Sequence, residues 1–285
     1  PVRSSSIGAV LQGGIARFSP MPRQDRRSVD QLAPVPAASS SPDPGDLPRQ
    51  LPNREALNSL LQQEFPEASG ELSPIRGGRK AAEMRLSKVD PARYARSRNH
   101  LEGMVTGLSP YIRHGVLSLA EVRDAVFRRI RHRDEGGKLI NELGWRDFWQ
   151  RIYAQNPDWL WHDIEPYKTG FAASDYADTL PQDIAAGETD SAAMNHFIHE
   201  LKTSGYLHNH ARMWFASIWV FTLRLPWELG ADFFIRHLMD GDPASNTLGW
   251  RWVAGLHTAG KTYLATPQNI RACAEERLAS RSDQA

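Results

Sequence analysis

The residues best equipped for chemistry lie between Gly205 and Trp252. His208, Asn209, Arg212, Asp240, Asp242 and Asn246 are interleaved there with Met213, Trp214, Trp227, Trp250 and Trp252. A plain helical core has no use for so many hydrogen-bonding groups, because each costs free energy when buried without a partner. A cavity for a large, flat ligand with polar edges uses them all. Indoles offer stacking faces, and Asn, Asp and Arg side chains offer edge contacts. A second group stands upstream, where Glu142, Trp145 and Arg146 fall one turn apart. Glu142 and Arg146 also have the i,i+4 spacing of an ordinary helical ion pair. A third is the stretch VTGLSPYIRHGVLS, residues 105 to 118. It reads as a turn between helices, and its hydroxyls ahead of a helix also suit a phosphate.

Helices must position these groups. Apolar periodicity predicts two, Ala211–Leu223 and Leu229–Met239, with Pro226 starting the second in its first turn. Asn53–Glu64 follows an Asn cap, and Arg79–Lys88 precedes a helix restarting at Asp90-Pro91. Ser118–Arg133 opens with a Ser118/Glu121 capping box. Its polar side carries Arg123, Arg128, Arg129, Arg131 and Arg133, which reads as a solvated face or as a surface for phosphates. Leu139–Ala154 is expected to be a buried helix with Leu139, Leu143, Phe148, Ile152 and Tyr153 at apolar positions. Asn156–Glu188 is loop-rich, Asp190–Thr203 is a helix capped at Thr189 or Asp190, and Pro267–Leu278 is the last helix. No βαβ pattern is present, so the expected fold is an all-α bundle over residues 51–280. Residues 1–50 are rich in Pro, Ser, Gly and Arg and are expected to form a disordered tail or linker.

Composition limits the alternatives. The chain has 285 residues, a net charge of +1 and 41% hydrophobic residues, enough for one large domain or two small ones. Its single cysteine, Cys273, excludes an intramolecular disulfide framework and a Cys-rich metal site. His196 and His199 have i,i+3 spacing but no third ligand, so no metal is expected. The contiguous His208-Asn209-His210 lies in a helical context and does not make a nuclease HNH motif. No run approaches a membrane span and no apolar secretory segment opens the chain, so a soluble, cytoplasmic protein is expected.

Two motifs carry a resemblance to a known family. DGDPASNTLGWRW, residues 240 to 252, and GYLHNHARM, residues 205 to 213, resemble the flavin-binding helical domain of DNA photolyases and cryptochromes. NELGWRDF, residues 141 to 148, is similar to the family's N-E-L-x-W-R-x-F pattern, and TGLS resembles its pyrophosphate loop. The resemblance covers roughly Ile75 to Ile270, one domain of the family's two. It implies FAD as cofactor, held by Tyr94, Thr106, Leu108, Ser109, Arg146, Arg212, Asp240, Asp242 and Asn246. Asn246 would face flavin N5, and Arg212 and Asp240 would form an ion pair beside the ring. It implies a pyrimidine dimer in UV-damaged DNA as substrate, with Trp145 and Trp252 as walls, Glu142 and Asn209 bonded to the bases, and Met213 beside them. Flavin photoreduction would run through Trp250 and then Trp227. Asn246, Trp250, Trp227 and Glu142 are thus the implied catalytic set. A cryptochrome-like photoreceptor with a protein partner and no repair shares the same pocket. The chain departs from the family at four places, one of them AGLHTAGKTYLAT, residues 254 to 266, where a small, polar stretch is usual. His210 replaces a DNA-contacting arginine, Leu248 brings bulk expected beside the pocket, and Gly107 stands where a hydroxyl or basic residue is common.

Overall fold

The computed structural model describes residues 48, 50–66, 72–157, 175–177 and 179–273. All but two residues of the expected tail over residues 1–50, much of the loop after Asn156 and the end of the last helix lie outside the described residues. The chain divides into two compact units, Pro1–Ala68 and Ser69–Ala285. Helix α1 (Arg54–Glu64) belongs to the first. Its cap is Asn53, whose side chain accepts a hydrogen bond from Ala56 N at 2.8 Å.

The second unit is helical, with no strand among the described residues. Helix α2 (Arg79–Ser87) buries Ala82 completely. Helix α3 (Pro91–Ser97) starts where the Asp90 carboxylate accepts Arg93 N at 2.9 Å and Pro91 takes the first turn. A short helix α4 (Ser109–Arg113) follows the Thr106 turn, and α5 (Leu119–Phe127) has both bonds of the expected capping box. Tyr94, Leu108, Tyr111, Leu117, Val122, Val126 and Leu139 form one core among these helices.

Two boundaries here differ from expectation. The basic helix ends at Phe127, and the next, α6, begins at Arg133 and runs to Gln155. The chain turns because Glu135 reaches back to accept the Arg131 N–H at 2.8 Å, which places Asp134 and Glu135 in a new first turn. Gly136 permits the tight corner, since a Cβ there would meet Val126 Cγ1 at 3.0 Å and Ile130 Cδ1 at 3.1 Å. The five arginines are therefore not one helical stripe, and Arg123 pairs with Asp124 at 2.8 Å. Nor is α6 buried along its length, because Trp145 and Phe148 are 54% and 41% exposed.

After α7 (Gln182–Ala186), a turn inside the expected loop region, α8 (Ala192–Ser204) is capped by Ser191 rather than Thr189 or Asp190. Thr189 instead bonds Asn195 through its hydroxyl at 2.7 Å. Helix α9 (Asn209–Ser217) continues into a π turn, Ile218–Thr222, closed by Leu223 N to Ile218 O at 2.9 Å. Pro226 is the N-cap of α10 (Trp227–His237), one step outside the predicted first turn. Helix α11 (Pro243–Ala254) carries most of the DGDPASNTLGWRW motif. Asp242 caps it, with Oδ2 accepting Ser245 N at 3.0 Å. Helix α12 (Pro267–Cys273) closes the described chain.

Helices α8 to α11 enclose a second core rich in aromatics: Phe197, Trp214, Phe215, Trp219, Phe233, Phe234 and Trp250 are all nearly inaccessible. Burying each such side chain contributes roughly 2 kcal/mol or more. Helix α3 packs on α6, and α11 packs on α9, α10 and α6. The line along which the two cores meet is where the polar residues collect.

Candidate functional site

A cavity of about 320 Å³ opens where α3, α6, α9, α10 and α11 converge on the Thr106 turn. Its size falls in the range of small-ligand sites. Its lining includes Tyr94, Thr106, Ser109, Glu142, Arg146, Asn209, Arg212, Met213, Asp240, Asp242, Asn246 and Trp250, residues scattered over more than half the chain.

Helical spacing explains how they meet. Glu142, Arg146 and Gln150 form an i, i+4, i+8 stripe on α6, of which the first two line the cavity and the third reaches Asp242. On α11, Asn246, Gly249, Trp250 and Val253 occupy one face. Leu248 falls on another, where it is buried away from the lining. The bulk expected beside the pocket is thus absorbed by the core.

Arg212 is fixed at three points. Its Nε donates to Leu207 O at 2.9 Å, its Nη2 donates to Asp240 Oδ2 at 2.8 Å, and its guanidinium lies 5.4 Å over the Tyr206 ring. The expected ion pair is therefore formed within the protein itself. Asp240 Oδ1 is buried and has no partner among the described residues, as is Trp250 Nε1. Asp242 both caps α11 and accepts Gln150 Nε2 at 2.5 Å. Burial raises its carboxyl, but the hydrogen bonds from Ser245 and Gln150 outweigh that and hold it below the usual carboxylate range. Asn246 Nδ2 donates to Ala231 O at 2.8 Å, which leaves its Oδ1 as an acceptor.

Glu142 pairs with Arg98 at 3.0 Å rather than with Arg146, the partner its helical spacing suggested. Burial, followed by the charge of Glu142, raises the Tyr94 phenol above its ordinary value. Asn209 reaches Met213 Sδ at 3.6 Å on the same face of α9. Behind Asn209, burial and then the neighbouring His210 push the His208 imidazole down to about 4, so it is neutral in the fold.

Four expected site residues stand off the lining. Leu108 is buried in the first core at 1% exposure, because its side chain caps the apolar side of the turn. Trp145 stacks on Trp149 at 5.8 Å on the open face of α6. Trp252 packs against Tyr263, also at 5.8 Å. Trp227 is buried beneath Arg251, whose guanidinium lies 5.7 Å from its ring. The ring contacts of Trp250 are Phe215, Phe234 and Trp219, the last at 5.8 Å. Trp250 also lies on α10 at Gly230, one turn from Trp227, where an added Cβ would come within 2.2 Å of its Cη2. Sequence reasoning missed Arg98, Tyr206, Gln150 and Gly230. Gln150 was legible as the next member of the Glu142–Arg146 stripe. Arg98 carried no signal, because its partner lies on another helix.

The residues fit a polar-edged ring system. Orphaned Asp240 Oδ1 and Trp250 Nε1 need a partner, and the free Asn246 Oδ1 adds an acceptor. Among the described residues no group of three or more His, Cys, Asp or Glu could hold a metal ion, and no helix is long and apolar enough to cross a membrane.

Residues 139–279 match the family model described as the FAD binding domain of DNA photolyase. The chain is 32% identical over 220 residues to a deoxyribodipyrimidine photo-lyase of Streptomyces griseus, covering 73% of this chain and 46% of the relative. It is 32% identical over 250 residues to the same enzyme of Thermus thermophilus, covering 86% and 54%. It thus spans about half the length of these curated relatives. Among solved structures, a Synechocystis cryptochrome superposes with a TM-score of 0.64 at 23% identity, covering 74% of this chain and 47% of the other. A class III photolyase from Agrobacterium tumefaciens gives a TM-score of 0.62 at 20% identity, covering 82% and 48%. By its motifs, its cavity and these likenesses, the helical part of this chain matches the FAD-binding domain of DNA photolyase in sequence and has the fold that photolyases and a cryptochrome share.

Proposed function

We propose that this protein is a photolyase-like enzyme that splits pyrimidine dimers in UV-damaged DNA under blue light. The observation that carries the reading is one cavity bordered both by Asp240, Asn246 and Trp250 and by Glu142, Asn209 and Met213. The first set suits the FAD ring and the second suits an extruded base. FAD, when bound and reduced, supplies one electron to the dimer and recovers it after the ring opens.

The chain's own residues hold and orient. Arg212 and Asp240 present a fixed charge pair at the cavity wall, with Asp240 Oδ1 left to accept from the ligand. Thr106 and Ser109 offer hydroxyls to the pyrophosphate, and Leu108, buried behind them, holds the turn in place. Tyr94 and Arg146 lie beside them on the lining, and Asp242 fixes the start of α11 so that Asn246 faces inward. Glu142, held by Arg98, and Asn209 bond the base edges. Trp145 and Trp252, outside the cavity itself, clasp the lesion as it enters. The aromatic cage of Phe215, Trp219 and Phe234 keeps Trp250 dry and in place for electron supply, with Trp227 as the next carrier. On this reading DNA is the partner, a flipped base is the docked form, and the enzyme works in the cytoplasm.

Blue-light repair of a dimer-bearing oligonucleotide by the FAD-loaded, reduced protein tests the proposal. Restoration of intact pyrimidines is the expected result, and no repair at saturating protein would sink it. A cryptochrome-like photoreceptor is the second reading. His210, half-buried against Trp214 in place of a phosphate-contacting arginine, favours it. That protein would photoreduce its flavin without repairing the oligonucleotide.

A further inference from the structure

Gly107 borders the cavity with φ of 60°, in the left-handed region. A Cβ at this position would lie 2.1 Å from Arg85 Nη2 and 2.6 Å from its Cζ. The guanidinium of Arg85, a residue of α2, therefore fills the space that any side chain at position 107 would need. It is anchored there by one bond, Nε to Thr106 O at 3.0 Å. Its terminal nitrogens pair with no carboxylate among the described residues.

The three guanidinium groups that line the cavity itself are differently placed. Arg98 is committed to Glu142 at 3.0 Å and Arg212 to Asp240 at 2.8 Å. Arg146 acts on Asp242, whose carboxyl it helps to hold down. Arg85 alone among these four reaches the turn that carries Thr106 and Ser109, and it does so with two nitrogens to spare. A dinucleotide brings two phosphate charges into a partly desolvated site, where charge-assisted bonds from a planar guanidinium are the strong ones.

We propose that Arg85 binds a phosphate of the FAD pyrophosphate together with Thr106 and Ser109, entering through the space that Gly107 leaves open. The inference rests on the assignment of the cavity to FAD. It makes Gly107 and Arg85 a coupled pair: the missing side chain at one position is replaced by a cation from another helix. It also makes the turn selective for flavins that carry phosphate.

The test compares FAD with riboflavin, which has the same ring and no phosphate, by calorimetric titration of the full chain. Arg85→Gln is expected to weaken FAD by about tenfold to a hundredfold, the effect of one charge-assisted bond, and to leave riboflavin unchanged. Gly107→Ala, whose methyl would displace the guanidinium, is expected to show the same selective loss. Should Arg85→Gln fail to fold by circular dichroism, Arg85→Lys takes its place. A lysine cannot hold Thr106 O and reach a phosphate at once, so a smaller loss of FAD alone is expected. Unchanged FAD affinity overturns the proposal, as does an equal loss of FAD and riboflavin, which would mean that Arg85 only shapes the turn. Wild-type protein that binds neither flavin would overturn the cavity assignment as well.

Discussion

Gly230→Ala probes the seat of Trp250 directly. The new methyl would stand 2.2, 2.4 and 2.9 Å from Cη2, Cζ3 and Cζ2 of the indole. To regain an ordinary carbon–carbon separation the ring must retreat by more than about 1 Å. It cannot retreat freely, because Phe215, Phe234 and Trp219 enclose it at 5.0 to 6.1 Å between ring centroids. Overpacking of this kind costs about 1–3 kcal/mol. Replacing a helical glycine with alanine returns up to about 1 kcal/mol. A net loss of about 1–2 kcal/mol is therefore expected, or a fall in melting temperature of roughly 2–8 °C for a domain of this size. The displaced indole should also slow photoreduction of bound flavin by a thiol. Gly144→Ala is the control, since nothing lies within 4 Å of its added methyl. It should gain up to about 1 kcal/mol and leave photoreduction alone. Thermal melts of the FAD-free proteins and the light-driven bleaching rate of the loaded ones supply the readouts. A Gly230→Ala protein as stable as its parent, with an unchanged bleaching rate, would refute the packing argument and with it the place of Trp250.

Other perturbations have equally definite outcomes. Asp240→Asn leaves Arg212 partly buried without its counter-charge. Because that arginine is a quarter exposed, the cost should be about 1–3 kcal/mol in denaturant melts, below the figure for a fully buried pair, with weaker FAD binding. Asp242→Ala removes a helix cap and the Gln150 contact, and should cost about 1–2 kcal/mol in the same melts. The folded His208 titrates near 4, below its ordinary value, so the unfolded chain binds the extra proton first as pH falls. Stability should thus be full above pH ~6.5 and decline between there and pH ~4, by on the order of 3 kcal/mol from this group. His208→Asn, whose Oδ1 can replace the ring Nδ1 as acceptor of the His210 N–H, should flatten that part of the pH profile measured by melting. Trp250→Phe should slow flavin photoreduction while FAD stays bound, and an unchanged rate would remove Trp250 from the electron path.

How far the sequence could be read depended on whether a contact was local. The Asn53 cap, the restart at Asp90-Pro91 and the Ser118/Glu121 box all follow from spacing within one element, and all are legible. The Arg212–Asp240 pair joins α9 to the turn between α10 and α11, yet its motif context announces it. The sequence points Glu142 toward Arg146 because i,i+4 neighbours are visible in it, whereas Arg98 stands at the C-cap of α3 and is not. Gly136-Gly137 concealed the start of α6, since glycine argues against a helix unless a close approach demands it. Leu248 looked like an obstruction in a linear motif. Only the helical turn of α11 shows that it points away from the cavity. The exposure of Trp145 was hidden for a related reason: periodicity marks an apolar face without saying whether anything covers it.

The most direct measurement is the absorption spectrum of the purified chain after incubation with FAD, before and after blue light in the presence of a thiol. The cavity as described predicts a structured flavin band that stays with the protein through gel filtration and bleaches on illumination. A protein that remains colourless and takes up no FAD would contradict it.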